Sequence, residues 1–528
     1  MRAATSSQLA NWMSTPTGCT QRERRGWLGD AQLGVEGVIH TAFAPAAYAK
    51  FLGDIADTQA DEWAAHNGSI PEVVPNYGHG TIPPDPPFGV GYAVLWWNQY
   101  RYYADEAALS EHYAGVKAFA ETLLARAGGG GTTAGVLNRS TSTHGDWVSV
   151  ANRSTDATTC SGRAALDHHA NATCCTFMAC PDAVVNGFYF ITLWRILAAA
   201  ADVLGRAVDA SRFRALASDA AASLAAAEYR GAPDHAMGYG YQTDQAMALA
   251  LGASGGVLPP GDFDTVAAGL ALDVANQSGH LDTGIFGTKV LLPALSSTGY
   301  GDAAMGVLTQ TTAPSWGAWV EENDATTLFE MWGAFDGTGA TGVASHNHVM
   351  FATFMVWLHQ TVLGVAMDGG DFGVGVLPPP TPTTSAAAPA TASPRNPLPT
   401  GFSRFRVAPQ LLGELSSASG AVVTMRGNVS VSWLRSAAAV WLNVTLPAGA
   451  DTAVTVPLPR GGAACTPAKA TVHEGAAGGD GGQRLVWSHG KYMPGVAGVV
   501  GARAVTTAGL SGVQVTTGSG DYQFSAAC

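Results

Sequence analysis

Apolar residues recur at helical spacing through the first two thirds of the chain. From about residue 34 to residue 365 these patterns alternate with Gly, Pro and polar loops, with little strand signal between them. The clearest patterns cover 91–104, 108–127, 184–204, 211–229, 244–251, 265–277, 287–297 and 348–365. They predict an all-α domain over residues 1–365. Roughly ten helices, taken in pairs, can close into a ring such as an (α/α)6 toroid, whose loops at one end line a central cavity.

The pattern changes after Val365. Residues 377–400 are rich in Pro, Ala and Thr, so we predict a linker or disordered insertion over residues 366–400. Beyond it come short alternating runs with turn residues every 8 to 12 positions, which is typical of an antiparallel β-sandwich. This second domain, residues 401–528, has few clustered acids or histidines, and we interpret it as a scaffold.

Composition and charge narrow the function classes. A chain of 528 residues suits two domains. The net charge of −13 argues against a nucleic-acid surface and favours a neutral or small substrate. No run of about 18 apolar residues occurs, so no membrane span is predicted. The sequence contains no loop typical of calcium ligation, and we predict no metal or cofactor. Nothing in the sequence indicates an oligomeric state.

The asparagine sequons and the N-terminus give different indications of the cellular compartment. Residues 1–14 lack the apolar stretch of a signal peptide. Half of the asparagines nevertheless stand in Asn-x-Ser/Thr sequons, more than chance would give. These are Asn67, Asn138, Asn152, Asn171, Asn276, Asn428 and Asn443. The excess favours a secreted or lumenal protein, and the missing leader suggests a fragment or a gene model that lacks its first exon.

The cysteines agree with an oxidising compartment. Four of the seven fall within a short stretch: Cys160, Cys174, Cys175 and Cys180. Local disulfides are the favoured interpretation. His168 and His169 leave a zinc site as an alternative, although the spacing matches no common zinc pattern. Cys465 and Cys528 could join within the second domain.

The stretch CTQRERRGWLGDAQ, residues 19–32, carries the first candidate chemistry. Gly26 and Gly29 bracket Trp27 and predict a loop. Asp30 precedes a helical pattern, so one interpretation makes it an N-cap carboxylate. Glu23 stands among three arginines and has no comparable structural explanation.

A second group of carboxylates lies among tryptophans in residues 314–335, which contain Trp316, Trp319, Trp332, Glu321, Glu322 and Glu330. Sugar rings present apolar C–H faces that pack on indole, and their hydroxyls bind carboxylates. Cleaving a glycosidic bond needs one acid at the leaving oxygen and one carboxylate that attacks or activates water. Trp147 and the pair His346 and His348 are further candidates. For any single tryptophan, core packing is the competing interpretation.

Taken in order, these segments resemble the α-L-rhamnosidases of glycoside hydrolase family 78. The resemblance rests on CTQRERRGWLGDAQ, GDW (145–147), QTDQAMALALG (242–252), GHLDTGIFGT (279–288), LTQTTAPSWGAWVEENDATTLFEMW (308–332) and SHNHVMF (345–351). It implies an (α/α)6 catalytic domain followed by a β-sandwich. It also implies hydrolysis of terminal non-reducing α-L-rhamnosides, with inversion, in rhamnose-containing glycosides or polysaccharides.

By position, the resemblance implies that Glu23 is the general acid and Glu330 the general base, with Glu321 as the reserve candidate for the base. An inverting pair should stand about 6.5 to 9.5 Å apart. The substrate-binding residues implied are Arg22, Trp27, Asp30, Trp147, Glu321 and His348. We expect Arg24 and Arg25 to point away from the sugar or to pair with other acids.

Three positions depart from the family pattern. Gly18 replaces an aspartate, and Phe88 and Val90 replace a tryptophan and an aspartate, so sugar binding should be altered. Two alternatives therefore stand beside the rhamnosidase interpretation. One is a carbohydrate-binding pseudoenzyme of the same fold, and the other is a toroidal hydrolase of the glucoamylase or trehalase kind that acts on another sugar.

Overall fold

The computed structural model describes residues 1–127, 144–150, 183–252, 256–332, 345–368, 399–460, 465–475 and 482–528. Helices dominate the first part of the chain, as predicted. They span Arg2–Ala10, Leu28–Thr41, Pro45–His66, Pro86–Gly89, Gly91–Tyr103, Glu106–Arg126, Ala183–Val203, Ala207–Glu228, Gln242–Ala250, Phe263–Asn276, Ile285–Ser297, Gly301–Thr309, Trp316–Glu321 and Phe354–Trp357. A small hairpin of β1 (Tyr229–Arg230) and β2 (Ala236–Met237) interrupts them.

One predicted helix is not continuous. The pattern over 348–365 forms a 3-10 turn at Met350–Thr353, an α-helical turn at Phe354–Trp357 and a π-helical turn at Leu358–Val362. Every residue from Val349 to Trp357 is buried. Packing on all sides therefore sets this backbone, rather than an amphipathic period.

The C-terminal part is rich in strands, as predicted. They are β3 (Val365–Met367), β4 (Arg404–Val407), β5 (Ser417–Thr424), β6 (Gly427–Arg435), β7 (Ala439–Leu446), β8 (Asp451–Pro457), β9 (Thr471–Glu474), β10 (Arg484–Ser488), β11 (Lys491–Tyr492), β12 (Val499–Thr507), β13 (Leu510–Thr517) and β14 (Gly520–Ala527). One sheet has the order β11-β10-β9-β14-β7-β6-β5 and the other β12-β13-β8-β4-β3. All neighbours are antiparallel except β4 and β8, because the chain between these two strands forms a hairpin series in the other sheet.

The helix Ala183–Val203 lies in the core of the helical part. By length and composition it is the one described helix that could cross a membrane, but 94% of its most apolar window is buried inside the protein. Its contacts run to several neighbouring helices, the closest being Ala207–Glu228. A core helix in an all-α layer has the same composition, and this burial accounts for its apolar character.

Direct contacts join the helical and strand-rich parts. Trp433 Nε1 donates to the carbonyl of Val362 at 2.8 Å, and Arg460 pairs with Asp302 at 2.9 Å. The strand β3 lies before the Pro-rich segment and pairs with β4 after it. Most of the predicted linker, residues 369–398, lies outside the described residues.

The predicted pairing of Cys465 with Cys528 is confirmed, with a Cα–Cα distance of 5.8 Å. It ties the segment before β9 to the chain end after β14. The cluster Cys160, Cys174, Cys175 and Cys180, with His168 and His169, lies outside the described residues. Cys19 is a buried free thiol.

Candidate active site

The loop that carries Glu23 is closed by its own backbone. Gly18 N–H donates to the Arg25 carbonyl at 3.0 Å, and Arg24 N–H donates to the Cys19 carbonyl at 2.9 Å. Arg24 takes a positive φ of 58° to make this turn. The loop is therefore a fixed element, and it presents Arg22 and Glu23 at its tip.

Two neighbouring segments hold this loop in place. Cys19 forms a β-bridge with His348, and Trp27 forms one with Val73. Gly26 is required at this crossing because a Cβ there would stand 2.1 Å from the carbonyl oxygen of Val74. The loop thus meets the segment from residue 345 to 348, which is more than 300 positions away in the chain.

Glu23 is oriented by one hydrogen bond and one ion pair. Trp27 Nε1 donates to Glu23 Oε2 at 2.7 Å, and Arg22 Nη1 lies 3.5 Å from Glu23 Oε1. The side chain of Glu23 keeps 24% of its surface exposed. It can therefore meet a ligand from solvent while its direction is set by the indole.

Glu330 is buried and heavily bonded. Its Oε2 accepts from Ser345 N–H at 2.7 Å, and Arg22 Nη2 donates to Oε2 at 2.8 Å and to Oε1 at 3.1 Å. Its side chain is only 6% exposed. Because Arg22 Nη2 contacts both oxygens and the Ser345 N–H binds one of them, the carboxylate is held in position and orientation.

One guanidinium therefore links the two proposed catalytic carboxylates. The outer nitrogens of a planar arginine head lie about 2.3 Å apart. Through contacts of 3.5 and 2.8 Å, the oxygens of Glu23 and Glu330 that Arg22 contacts are separated by at most about 9 Å. This upper bound is compatible with the separation of about 6.5 to 9.5 Å expected for an inverting pair.

Asp30 and His348 extend the cluster. His348 Nε2 lies 3.4 Å from Asp30 Oδ1, and His348 Nδ1 lies 3.8 Å from Glu330 Oε2. The N-cap interpretation of Asp30 is wrong, because the helix begins at Leu28 with Trp27 in the cap position and no side-chain cap bond. Asp30 sits in the first turn with its carboxylate turned toward the histidine.

Gly18 fits closely against Asp30. A Cβ at Gly18 would stand 2.6 Å from Asp30 Oδ1 and 3.2 Å from Trp27 Cδ1. Because Gly18 has no side chain, the Asp30 carboxylate has room in its present position.

Aromatic rings form a wall beside Glu23. Trp27 lies 5.7 Å from Phe88 between ring centroids, and His144 lies 4.6 Å from Phe88, 6.2 Å from Trp27 and 5.4 Å from Trp147. Trp147 thus belongs to the same group of rings as Trp27. We refer to Trp27, Phe88, His144 and Trp147 as the aromatic wall.

His144 and its partner Glu72 were not singled out from the sequence. His144 Nε2 lies 3.4 Å from Glu72 Oε1, and Glu72 is fully buried. Glu72 also accepts from the N–H groups of Thr81 and Asp85 at 2.8 and 2.9 Å. The sequence signals were only a histidine directly before GDW and a lone glutamate in a Pro-rich loop.

The His144–Glu72 pair shifts both pKa values. Burial alone would lower the pKa of His144, but its hydrogen bond and ion pair with Glu72 raise it above the ordinary value. Burial alone would raise the pKa of Glu72, but His144 and the two backbone N–H groups bring it below the ordinary value. Each partner therefore favours the charged form of the other.

Asp146, the acid of the GDW motif, has a structural position. Its carboxylate accepts from the N–H groups of Gly284, Phe286 and Gly287 at 2.7, 2.9 and 3.0 Å, and from the hydroxyl of Thr243. Burial raises the pKa of Asp146 to about 6 although these donors act in the opposite direction. The side chain fixes the start of the helix Ile285–Ser297 against the turn that presents Trp147.

The remaining carboxylates and tryptophans of residues 314–335 separate from the cluster. Trp319 and Trp332 stack at 4.6 Å and are buried, so core packing accounts for them. Glu321 is exposed at the end of its helix. Within the described residues no hydrogen bond or ion pair joins it to Glu330.

The other two arginines of the loop turn outward, as expected. Arg24 is exposed and its Nε donates to the Thr20 carbonyl at 2.9 Å, while Arg25 lies 5.7 Å over the ring of Tyr77. In the part of the chain that the structure describes, no group of three His, Cys, Asp or Glu side chains is placed to hold a metal ion.

A helical part followed by strand-rich sheets, with two carboxylates that contact one arginine beside aromatic rings, fits the glycosidase class. The chain belongs to the bacterial α-L-rhamnosidase six-hairpin glycosidase family, because the model of that domain matches residues 1–362. The model of the bacterial α-L-rhamnosidase C-terminal domain matches residues 394–470.

Curated relatives carry the same family name. An α-L-rhamnosidase of Streptomyces avermitilis is 24% identical over 457 residues, which cover 85% of this chain and 36% of that protein. One of an Alteromonas species is 24% identical over 448 residues, covering 83% of this chain and 41% of that protein. The chain thus spans well under half the length of these relatives.

Solved structures share the fold. An α-L-rhamnosidase from Dictyoglumus thermophilum superposes with a TM-score of 0.74 at 25% identity, over 100% of this chain and 49% of that one. The Streptomyces avermitilis α-L-rhamnosidase complexed with L-rhamnose gives a TM-score of 0.71 at 21% identity, over 99% and 40%. The native enzyme from Aspergillus terreus gives 0.68 at 21% identity, over 99% and 48%.

Proposed function

We propose that this chain hydrolyses terminal non-reducing α-L-rhamnose residues from rhamnose-containing glycosides or polysaccharides by an inverting acid/base mechanism. The observation that carries the proposal is the single guanidinium of Arg22 shared by Glu23 and Glu330. We further propose that the helices close into an (α/α)6 toroid and that the two sheets stack as a β-sandwich. Residues 1–365 would then form the catalytic domain and residues 401–528 the sandwich.

In this mechanism Glu23 donates its proton to the glycosidic oxygen as the bond to the anomeric carbon breaks. A water molecule attacks that carbon from the opposite face, and Glu330 accepts the proton of the water. The alcohol leaves, and the sugar is released with inverted configuration. Glu321 remains the reserve base, and its exposure makes it the weaker candidate.

The residues around the two acids have different roles in binding the sugar. Trp27 orients Glu23 through its indole N–H and offers a ring face to the sugar. Trp147 adds a second indole through the aromatic wall. Asp30 and His348 lie on the Glu330 side and supply acceptors and donors for the sugar hydroxyls. Arg22 holds the two carboxylates in register.

One observation favours a second candidate, a carbohydrate-binding protein without activity. Arg22 Nη2 engages both oxygens of Glu330, which is the carboxylate that should be free to accept a proton. Gly18 also leaves out a side chain that the family carries. Such a protein would bind rhamnose without cleaving its glycosides.

Hydrolysis of a panel of nitrophenyl glycosides by the purified full chain tests the proposal. We expect release from the α-L-rhamnoside alone, and a loss of about 10³-fold or more in Glu23→Gln and Glu330→Gln. Glu322→Gln is the matched control, because Glu322 is an exposed acid in the same segment as Glu330. Rhamnose binding by calorimetry with no cleavage, unchanged by Glu23→Gln, would favour the binding protein. Cleavage of another glycoside would redirect the proposal to another sugar.

A further inference from the structure

The sequon asparagines occupy a distinct set of positions on the protein. The structure describes four of them, and all four are exposed: Asn67, Asn276, Asn428 and Asn443. It also describes six asparagines outside sequons, and none of these is exposed: Asn11, Asn76, Asn98, Asn186, Asn323 and Asn347. A hydroxyl residue two positions along the chain does not by itself expose an asparagine. The fold therefore exposes the sequon asparagines and covers the others, and exposure is what a bulky glycan requires.

Asn443 has the most informative surroundings. Burial alternates along β7, so that Trp441, Asn443 and Thr445 point outward while Leu442 and Val444 point into the core. The outward face is the one on which a glycan could stand. Among the described residues, Asn443 Nδ2 makes one hydrogen bond, a long one of 3.3 Å to Ser432 Oγ on the neighbouring strand.

An exposed apolar pair lies directly beside Asn443. Trp441 is 41% exposed, and its cross-strand partner Leu434 is 51% exposed. Outward residues two apart on a strand are separated by about 7 Å, which one pyranose ring spans. The first sugar on Asn443 would therefore reach the indole of Trp441 and could pack its C–H face on it, as sugars do on aromatic rings.

The disulfide provides an independent indication of the compartment. Cys465 and Cys528 are joined across 63 positions of the same domain. Such bonds persist in oxidising compartments, where the secretory pathway also carries out N-glycosylation. The exposure of the sequon asparagines and the disulfide are independent observations, and both favour a protein of the secretory pathway.

We propose that Asn67, Asn276, Asn428 and Asn443 carry N-linked glycans and that the first sugar on Asn443 packs against Trp441. The donor would be an oligosaccharide on a lipid diphosphate. The amide nitrogen forms a bond to the anomeric carbon of the sugar and loses one proton, while the bond from that carbon to the diphosphate oxygen breaks and the lipid diphosphate leaves with the electron pair. The proposal is independent of rhamnoside hydrolysis.

Site occupancy can be measured on the full chain secreted from yeast behind a cleavable leader. Enzymatic glycan removal in ¹⁸O-water converts each modified asparagine to a labelled aspartate, which peptide mass spectrometry locates. We expect label at all four positions, loss of one glycan in Asn443→Gln, and no loss in the matched control Asn323→Gln. Secreted protein with an intact Cys465–Cys528 bond and unmodified asparagines at these four positions would overturn the proposal.

The contact with Trp441 has a separate readout. Removing the glycans should lower the Tm of the natural sequence by about 2–4 °C more than it lowers the Tm of Trp441→Ala. Trp441 is on the surface, so this variant should fold. Asn428→Gln serves as an internal control, because the difference should persist when that glycan is absent. An equal shift in Trp441→Ala and the natural sequence would refute the packing of the sugar on the indole.

Discussion

Arg22 and Glu330 form a two-pronged ion pair across 308 positions of the chain, with Nη2 at 2.8 Å from Oε2 and 3.1 Å from Oε1. The same guanidinium reaches Glu23 at 3.5 Å. Because both proposed catalytic carboxylates contact one cation, Arg22 contributes directly to their separation. The side chain of Arg22 is 33% exposed, but that of Glu330 is only 6% exposed, so removing the arginine leaves a buried carboxylate with fewer partners.

Arg22→Gln should therefore reduce activity without unfolding the protein. Loss of Arg22 removes a contact that positions both Glu23 and Glu330, and misplacement of about 1 Å costs on the order of 10²-fold in rate. We expect kcat/KM on an aryl rhamnoside to fall by about 10²-fold and the free energy of unfolding to fall by about 1–3 kcal/mol. Arg22→Lys should recover only part of the loss, because Arg22 reaches Glu23 and Glu330 through two different nitrogens and lysine has only one. Full activity in Arg22→Lys would contradict the bridging role.

Gly18→Ala tests the fit between Gly18 and Asp30. The new methyl would meet Asp30 Oδ1 at 2.6 Å, so the carboxylate must turn away from His348. We expect a higher KM for the rhamnoside and a loss of about 1–3 kcal/mol in the free energy of unfolding. Gly53→Ala is the control. Gly53 lies inside the helix Pro45–His66 with open space around it, so this change should stabilise the protein by about 0.5–1 kcal/mol. Unchanged KM in Gly18→Ala would show that Asp30 does not depend on this space.

The His144–Glu72 pair predicts a pH dependence of stability. The raised pKa of His144 gives stability that is present below its unfolded value of 6.5 and is lost as the pH rises through the folded value. The lowered pKa of Glu72 gives stability that is present above its unfolded value of 4.5 and is lost as the pH falls through the folded value. The pair is thus worth most between these two unfolded values.

Glu72→Gln should remove this dependence. We expect a loss of about 3 kcal/mol in the free energy of unfolding near pH 5.5 and a smaller loss near pH 8, measured by urea denaturation. The matched control is Glu62→Gln, which breaks the more exposed pair with His66 and should cost about 0.5 kcal/mol or less. An equal loss at both pH values would show that His144 does not titrate with Glu72.

Asp146→Asn should destabilise the turn that presents Trp147. An amide can place an N–H group against the donors of Gly284, Phe286 and Gly287, which leaves at least one of them unsatisfied. We expect a loss of about 2 kcal/mol in the free energy of unfolding. Asp61→Asn, at an exposed position of the helix Pro45–His66, should change it by less than about 0.5 kcal/mol. Equal stability of both variants would remove the structural role of Asp146.

Much of the fold could be predicted from the sequence because its signals are local. Helical periodicity gave the helical part, and short alternating runs gave the strands. The parallel pairing of β4 with β8 and the broken helix after Val349 could not be predicted, because long-range packing sets both. The N-cap interpretation of Asp30 failed for a related reason, since the helix begins two residues earlier and His348 takes the carboxylate.

The candidate site could be predicted only in part from the sequence. Glu23 and Glu330 could be named because flanking motifs marked them, but nothing local indicated that Arg22 would contact both. Glu72 and His144 were missed because each is an ordinary residue in its own segment, and only the folded chain brings them together. Pairing of charges across distant segments has no sequence period and becomes visible only in the structure.

The anomeric configuration of the first product tests the central claim most directly. Proton NMR of the full chain acting on an aryl α-L-rhamnoside resolves α- and β-rhamnose before they equilibrate. If Glu23 and Glu330 flank one sugar as acid and base, β-rhamnose should appear first and the α-anomer should follow by mutarotation. Initial release of α-rhamnose, or no release from a protein that binds rhamnose, would contradict the proposed pairing of these two acids.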